Sequence, residues 1–297
     1  FYKIFVSNIE DMKKLKKSSQ DLKALKPCSD HFIKDGKVLE IIRDRLTIRE
    51  EEKKLNGEVF TPIELICDMF SHIPTIVWKN PDLKWLDPAN GIGNFPVVAY
   101  YKLMDSLKGY KPKGKTLSRH IIEDMLYMVE LNPVNVRVCK KIFKMIDPKA
   151  TPNIVKHDFL TFDSKKSFGI DKFDVIMGNP PFQKKVGPKK SQTIWNRFVV
   201  DSITKFLNIN AYLLFVHPNG WRDIKGDYRK VYDLINEREL LSLTMRDYKE
   251  GAITFGGSGT NYDYYCLKNT INDKNTTLVD DIDKKTQKIN LNDYDFI

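Results

Sequence analysis

Seven short apolar runs, at residues 83–86, 126–129, 153–156, 174–178, 211–216, 240–247 and 262–268, are bounded by turn formers or charged residues. Runs of that length and content predict strands, here starting near residues 84, 126, 153, 173, 211, 240 and 262. Between them lie helical segments. Ile63, Leu65, Ile66, Met69 and Phe70 form an apolar stripe, residues 96–104 an apolar stretch, and residues 194–207 a further helix. Thr61 suits an N-cap and Pro62 the first helical position, with Glu64 completing a capping box. Strands alternating with helices predict an α/β chain with a doubly wound sheet. In such sheets ligands bind outside the carboxyl ends of the strands.

One of those ends carries unusual chemistry. Asn179-Pro180-Pro181-Phe182 follows the run 174–178 directly. Neither proline has a backbone N–H, and each fixes φ near −65°. Pro180 is held extended because Pro181 follows it. Its carbonyl oxygen therefore has one direction, and Asn179 adds a side-chain acceptor. Two fixed acceptors can grip both hydrogens of a planar NH2 group and aim its lone pair at an electrophile. Phe182 offers a stacking surface for a base. The same four residues also suit a plain proline turn with Phe182 in the core.

Upstream, residues 83–86 lead into Asp87-Pro88-Ala89-Asn90-Gly91-Ile92-Gly93-Asn94-Phe95 and the apolar stretch beyond. Strand, glycine turn and helix let backbone approach a ligand closely. The turn lacks both the third glycine of the dinucleotide fingerprint and the Gly-Lys-Ser/Thr ending of a phosphate loop. A small cationic ligand facing Asp87 fits better. Glu130 ends the second strand, where an acid can accept two ribose hydroxyls, about 40 residues on against about 20 in dinucleotide folds. Asp158 ends the third and could accept from an adenine amino group. Each acid alone suits a solvated strand end equally well.

Gly57 to Pro62, Asp87 to Phe95, Glu130, Asp158 and Asn179 to Phe182 together resemble the motifs of S-adenosylmethionine-dependent DNA adenine-N6 methyltransferases. They stand in the gamma order, with a pattern like that of Eco57I-like methylases and restriction-modification subunits. The likeness covers most of residues 50 to 270 and departs at Asn90 and Ile92, where the family usually has Cys and Ser. It implies a Rossmann-like sheet of seven strands with an antiparallel last strand. It further implies that Phe60 and Thr61 close over the methionine end of S-adenosylmethionine. Asp87, Asn90, Gly91 and Gly93 would line the amino-acid moiety, Glu130 the ribose, and Asp158 the adenine amino group, with Phe159 on the ring. Asn179, Pro180, Pro181 and Phe182 would hold a flipped-out adenine, with Phe255 on its other face. No metal is implied.

The remaining segments refine this picture. Lys184, Lys185, Lys189 and Lys190 surround Gly187-Pro188 in what reads as a mobile loop, placed to meet DNA phosphates. Residues 251–260 read as a flexible loop carrying Phe255. His217, before Pro218, reads as structural, since an amine methylated in this way sheds its proton readily. The chain has 297 residues with a formal charge of +10, which suits a polyanionic partner such as double-stranded DNA. Four scattered cysteines, Cys28, Cys67, Cys139 and Cys266, read as reduced thiols of an intracellular, non-secreted protein without a membrane span. The expected domains are a helical, basic extension over 1–56, the catalytic domain over 57–270, and a linker or start of a truncated target-recognition region over 271–297. Sequence specificity would then come from a domain or subunit outside this chain. An S-adenosylmethionine-dependent transferase acting on RNA or a protein glutamine amide is a competing reading, as is a non-catalytic DNA-binding subunit.

Overall fold

A computed structural model describes residues 61–187, 190–255, 259–271, 276–280 and 285–290. The expected extension over 1–56, Phe60 and Lys189 lie outside them. The central strands are β1 (Trp85–Asp87), β2 (Leu126–Glu130), β3 (Asn153–Lys156) and β4 (Phe173–Gly178). They are followed by a hairpin, β5 (Gln183–Gly187) and β6 (Lys190–Thr193), and then by β7 (Leu207–Pro218), β8 (Arg238–Arg246) and β9 (Tyr262–Ile271). Last come β10 (Thr276–Asp280) and β11 (Thr286–Asn290).

The main sheet runs β11-β10-β8-β9-β7-β4-β1-β2-β3. β3, β2, β1, β4 and β7 are mutually parallel, and β9 lies antiparallel between β7 and β8. The seven expected strands are therefore all present, but the sheet has nine among the described residues. Residues 276–280 and 286–290, expected to belong to a linker or a further region, extend its edge, β10 parallel to β8 and β11 antiparallel to β10. β7 begins four residues before the apolar run suggests. Its register against β4 shifts between Phe173 and Val175, and Asn210 takes a positive φ of 63°.

Strand periodicity divides the core in two. Trp85, Met128, Val175, Met177, Leu214 and Val216 face one side. There they meet α1 (Ile63–Ser71), α2 (Asn94–Ser106) and α3 (Pro133–Ile146). Leu86, Tyr127, Val129, Ile176, Leu213 and Phe215 face the other, covered by α4 (Trp195–Asp201) and α5 (Arg229–Asn236). Central strands buried on both faces carry continuous apolar runs, which is why they stand out in the sequence.

Three local expectations are corrected. The capping box does not form: Pro62, at ψ 147°, is itself the cap of α1, with no side-chain cap bond. Lys184, Lys185 and Gly187, expected in a loop, lie on β5, and Lys190 on β6, of a hairpin that forms a separate two-stranded sheet. Residues 251–255 belong to a helix, α6 (Tyr248–Phe255), rather than to a flexible loop.

Candidate functional site

The chain order turns back between β3 and β4, so the crevice lies where β1 and β4 lie side by side, the usual ligand position in such sheets. Their register pairs Leu86 with Ile176. A Cβ placed on Gly178 would sit 3.0 Å from Asp87 Oδ1 and 3.7 Å from Pro88 Cδ. The strand end leading into Asn179 is thus packed directly against the glycine turn.

That turn is built from backbone constraints. Gly91 and Gly93 have φ of 57° and 103°, left-handed values that favour glycine. The Asn90 N–H donates to the Val129 carbonyl at 3.0 Å, stitching the turn to β2. Asn90 Nδ2 donates to the Gly91 carbonyl at 3.0 Å. Glu130 Oε2 accepts from the Gly91 N–H at 2.6 Å, and its Oε1 from the Asn132 N–H at 2.7 Å. One carboxylate therefore spans the ends of β1 and β2. Asp87 is 1% exposed, and its Oδ1 accepts from the Ala89 N–H. Burial holds its carboxyl far above the usual carboxylate range; the Ala89 bond opposes this and the nearby Glu130 charge adds to it.

Across the crevice, Asn179 follows β4. Both its Oδ1 and its Nδ2 are buried with no hydrogen-bond partner among the described residues. Buried amides are nearly always paired, and each unmet group costs about 1–3 kcal/mol. Pro180 is buried beside it, and Pro181 is exposed. Phe182 is half-buried and meets Phe255 edge to face, centroids 6.4 Å apart, while Phe255 packs in turn on Tyr262 at 5.0 Å. The two rings thus touch each other edge to face, and Phe255 is 6% exposed, which corrects the expectation that it covers the other face of a base stacked on Phe182.

Asp158 caps a short helical turn through the Leu160 N–H, leaving Oδ2 3.5 Å from Lys184 Nζ of the hairpin. At 2% exposed, the Phe159 ring lies among Phe162, Phe198 and Phe206. That burial corrects the expectation that it presents a face to an adenine ring. Thr61 is buried, and its carbonyl accepts from Asn94 Nδ2 at 3.0 Å. Sequence reading gave Asn94 no role, yet it pins the segment before α1 over the glycine turn. An amide side chain opening a helix whose next seven residues are apolar was the available signal. Lys184, Lys185 and Lys190 are exposed along the hairpin.

His217 is fully buried, stacked on Trp195 at 4.5 Å, with Nε2 3.0 Å from Tyr265 Oη and Nδ1 2.9 Å from the Pro218 carbonyl. Burial pushes its pKa down to about 4 from 6.5, with the Pro218 bond opposing. Between those pH values the unfolded chain binds a proton that the native one refuses. The stabilisation is complete above pH 6.5 and falls away by about 3 kcal/mol as pH drops to 4. Asp263, fully buried and raised to about 6, gives the opposite slope over pH 3.8 to 6. Comparison with His217→Gln isolates the imidazole. The wild-type advantage in urea unfolding should shrink by about 3 kcal/mol from pH 7 to pH 4; an unchanging difference would mean that native His217 titrates normally.

Cys139 and Cys266 are free and buried, as expected, whereas Cys67 is disulfide-bonded, against the expectation of a reduced thiol. No helix among the described residues is long and apolar enough to cross a membrane, and no cluster there could hold a metal.

Comparison with known proteins shows the family and the fold. The N-6 DNA Methylase family matches residues 36–216. The Type II methyltransferase M.VspI of a Vibrio species is 28% identical over 66% of this chain and 45% of its own length. An uncharacterized adenine-specific methylase of Mycoplasma pneumoniae is 24% identical over 56% of each. The chain thus spans about half the length of these curated relatives. Among solved structures, the M protein of the type I restriction enzyme EcoKI superposes with a TM-score of 0.56 at 16% identity, covering 75% of this chain and 48% of its own, a likeness of fold. With the family match covering more than half of its residues, the chain belongs to the N-6 DNA Methylase family.

Proposed function

We propose that this chain is the catalytic portion of a restriction-modification methylase that methylates N6 of a flipped-out adenine in double-stranded DNA, using S-adenosylmethionine. The observation that carries this reading is the buried Asn179 carboxamide with both polar atoms unpaired, beside the acid and glycines of the β1 turn. An enclosed amide without a partner is an acceptor and donor set waiting for a ligand.

The residues present suit the cofactor. Asp87 is a buried acid with no cation paired to it among the described residues, and a positively charged amino-acid moiety would relieve its burial. Asp87, Asn90, Gly91, Gly93 and Thr61 would hold that end, Glu130 the ribose, and Asp158 the adenine amine. When bound, S-adenosylmethionine supplies an electrophilic methyl group on a sulfonium.

Asn179 Oδ1 and the Pro180 carbonyl accept the two N6 hydrogens of the target base. This grip favours a pyramidal nitrogen and directs its lone pair, an electrostatic preorganisation of the transition state. Phe182 offers the ring a stacking face, and Phe255 backs Phe182 edge-on. After methyl transfer the nitrogen sheds a proton to solvent, so no strong base is required and His217 remains structural. Lys184, Lys185 and Lys190 neutralise backbone phosphates. Sequence recognition comes from a further region or subunit, and the protein works inside the cell, where its DNA is.

Incubation with tritiated S-adenosylmethionine and duplex DNA, RNA or protein decides the matter. Label should enter duplex DNA and be recovered as N6-methyladenine. Label confined to RNA or protein, or absent from all three, overturns the proposal.

A further inference from the structure

Resting on that reading, we propose that Val186 is a wedge that enters the DNA base stack where the target adenine leaves it. β5 and β6 pair Lys185 with Ser191 and Gly187 with Lys190, so the register skips Val186. One extra residue in one strand is a β-bulge, a device that bends a strand and re-aims the side chain it leaves unpaired. Val186 is 57% exposed. An apolar side chain thrust outward at a bulge gains nothing from the fold itself. Its setting is cationic, with Lys184 and Lys185 just before it and Lys190 across the ladder.

The hairpin springs directly from the proposed base-gripping loop, and the Ile194 N–H closes its base by donating to the Phe182 carbonyl at 3.2 Å. Any duplex whose adenine reaches Asn179 therefore passes close to this hairpin. Lysines that seek phosphates around an exposed aliphatic group fit a duplex better than a protein surface, because unstacking by apolar wedges accompanies backbone neutralisation in DNA-bending proteins. The chemistry asked of Val186 is to occupy the gap between neighbouring base pairs and slow the return of the extruded base.

The test uses the full chain with any recognition partner it needs and an oligonucleotide carrying the sequence that wild-type protein methylates. Val186→Ser and Val186→Ile are compared on the matched duplex and on one whose target adenine faces an abasic site, so that little pairing opposes extrusion. Val186→Ser should slow methylation of the matched duplex about tenfold and that of the abasic duplex less than about twofold. Val186→Ile should behave as wild type on both. With 2-aminopurine at the target position, Val186→Ser should give a smaller fluorescence rise on binding. Equal losses on both duplexes, or none on the matched one, overturn the wedge while leaving the methylase reading intact. Failure of the wild-type protein to methylate duplex DNA of any sequence overturns both.

Discussion

Asn179→Ala is expected to lower methyl transfer to DNA by about 10²–10³-fold or more, while S-adenosylhomocysteine binds as tightly as to wild type. The reasoning turns on what the carboxamide does in the free protein. Both of its polar atoms are buried and unpaired among the described residues, so removing them breaks no hydrogen bond there. A structural asparagine would lose bonds worth about 0.5–1.5 kcal/mol each and destabilise the fold. Here the lost van der Waals contact is set against relief of an unmet desolvation penalty, so the melting temperature should stay unchanged or rise slightly. Transfer kinetics, calorimetric titration and thermal unfolding on the same variant separate the two roles. Full activity would remove Asn179 from the chemistry, and a large loss of stability would make it a scaffold residue.

How much of this could be read from residues alone depends on how each element is solvated. The strands β1, β2, β4 and β7 are buried on both faces, so their near-continuous apolar runs announce them. β10 and β11 sit at the sheet edge and are built from Thr, Lys, Asp, Asn and Gln among others, a composition that reads as linker. The β5–β6 hairpin was hidden for the same reason. The helix α6 was obscured by Gly251, and the structure explains that glycine: a Cβ there would lie 2.1 Å from the Thr260 carbonyl oxygen. Within the site, Asp87, Glu130 and Asn179 were legible because each ends or directly follows a strand, where topology alone gathers them. The Lys184–Asp158 pair and the Asn94–Thr61 bond were not, since they join segments far apart in sequence through side-chain reach. Phe159 shows the opposite limit. It follows Asp158 directly in the chain, but nothing local reveals that its ring joins an aromatic cluster.

Gly93→Ala should abolish cofactor binding and destabilise the fold, for two separable reasons. At φ 103° an L-residue carries a backbone penalty of about 1–2 kcal/mol. Its Cβ would also lie 2.9 Å from Cys139 Sγ, a fully buried thiol on α3, and overpacking of that kind typically adds about 1–3 kcal/mol. The clash falls where α2 begins, so relief by backbone movement would shift Asn90 and Asn94, which order the turn and the segment over it. Cys139→Ala tests the split. Alone it should cost about 1–2 kcal/mol through the cavity it leaves. Combined with Gly93→Ala it removes the sulfur, leaving Cys139 Cβ at 3.8 Å, an ordinary contact. The double variant should therefore be more stable than the sum of the singles by about 1–2 kcal/mol, with S-adenosylhomocysteine binding partly restored. Strict additivity in urea unfolding would show that the dihedral alone, and not the sulfur beneath it, demands glycine at the mouth of the site.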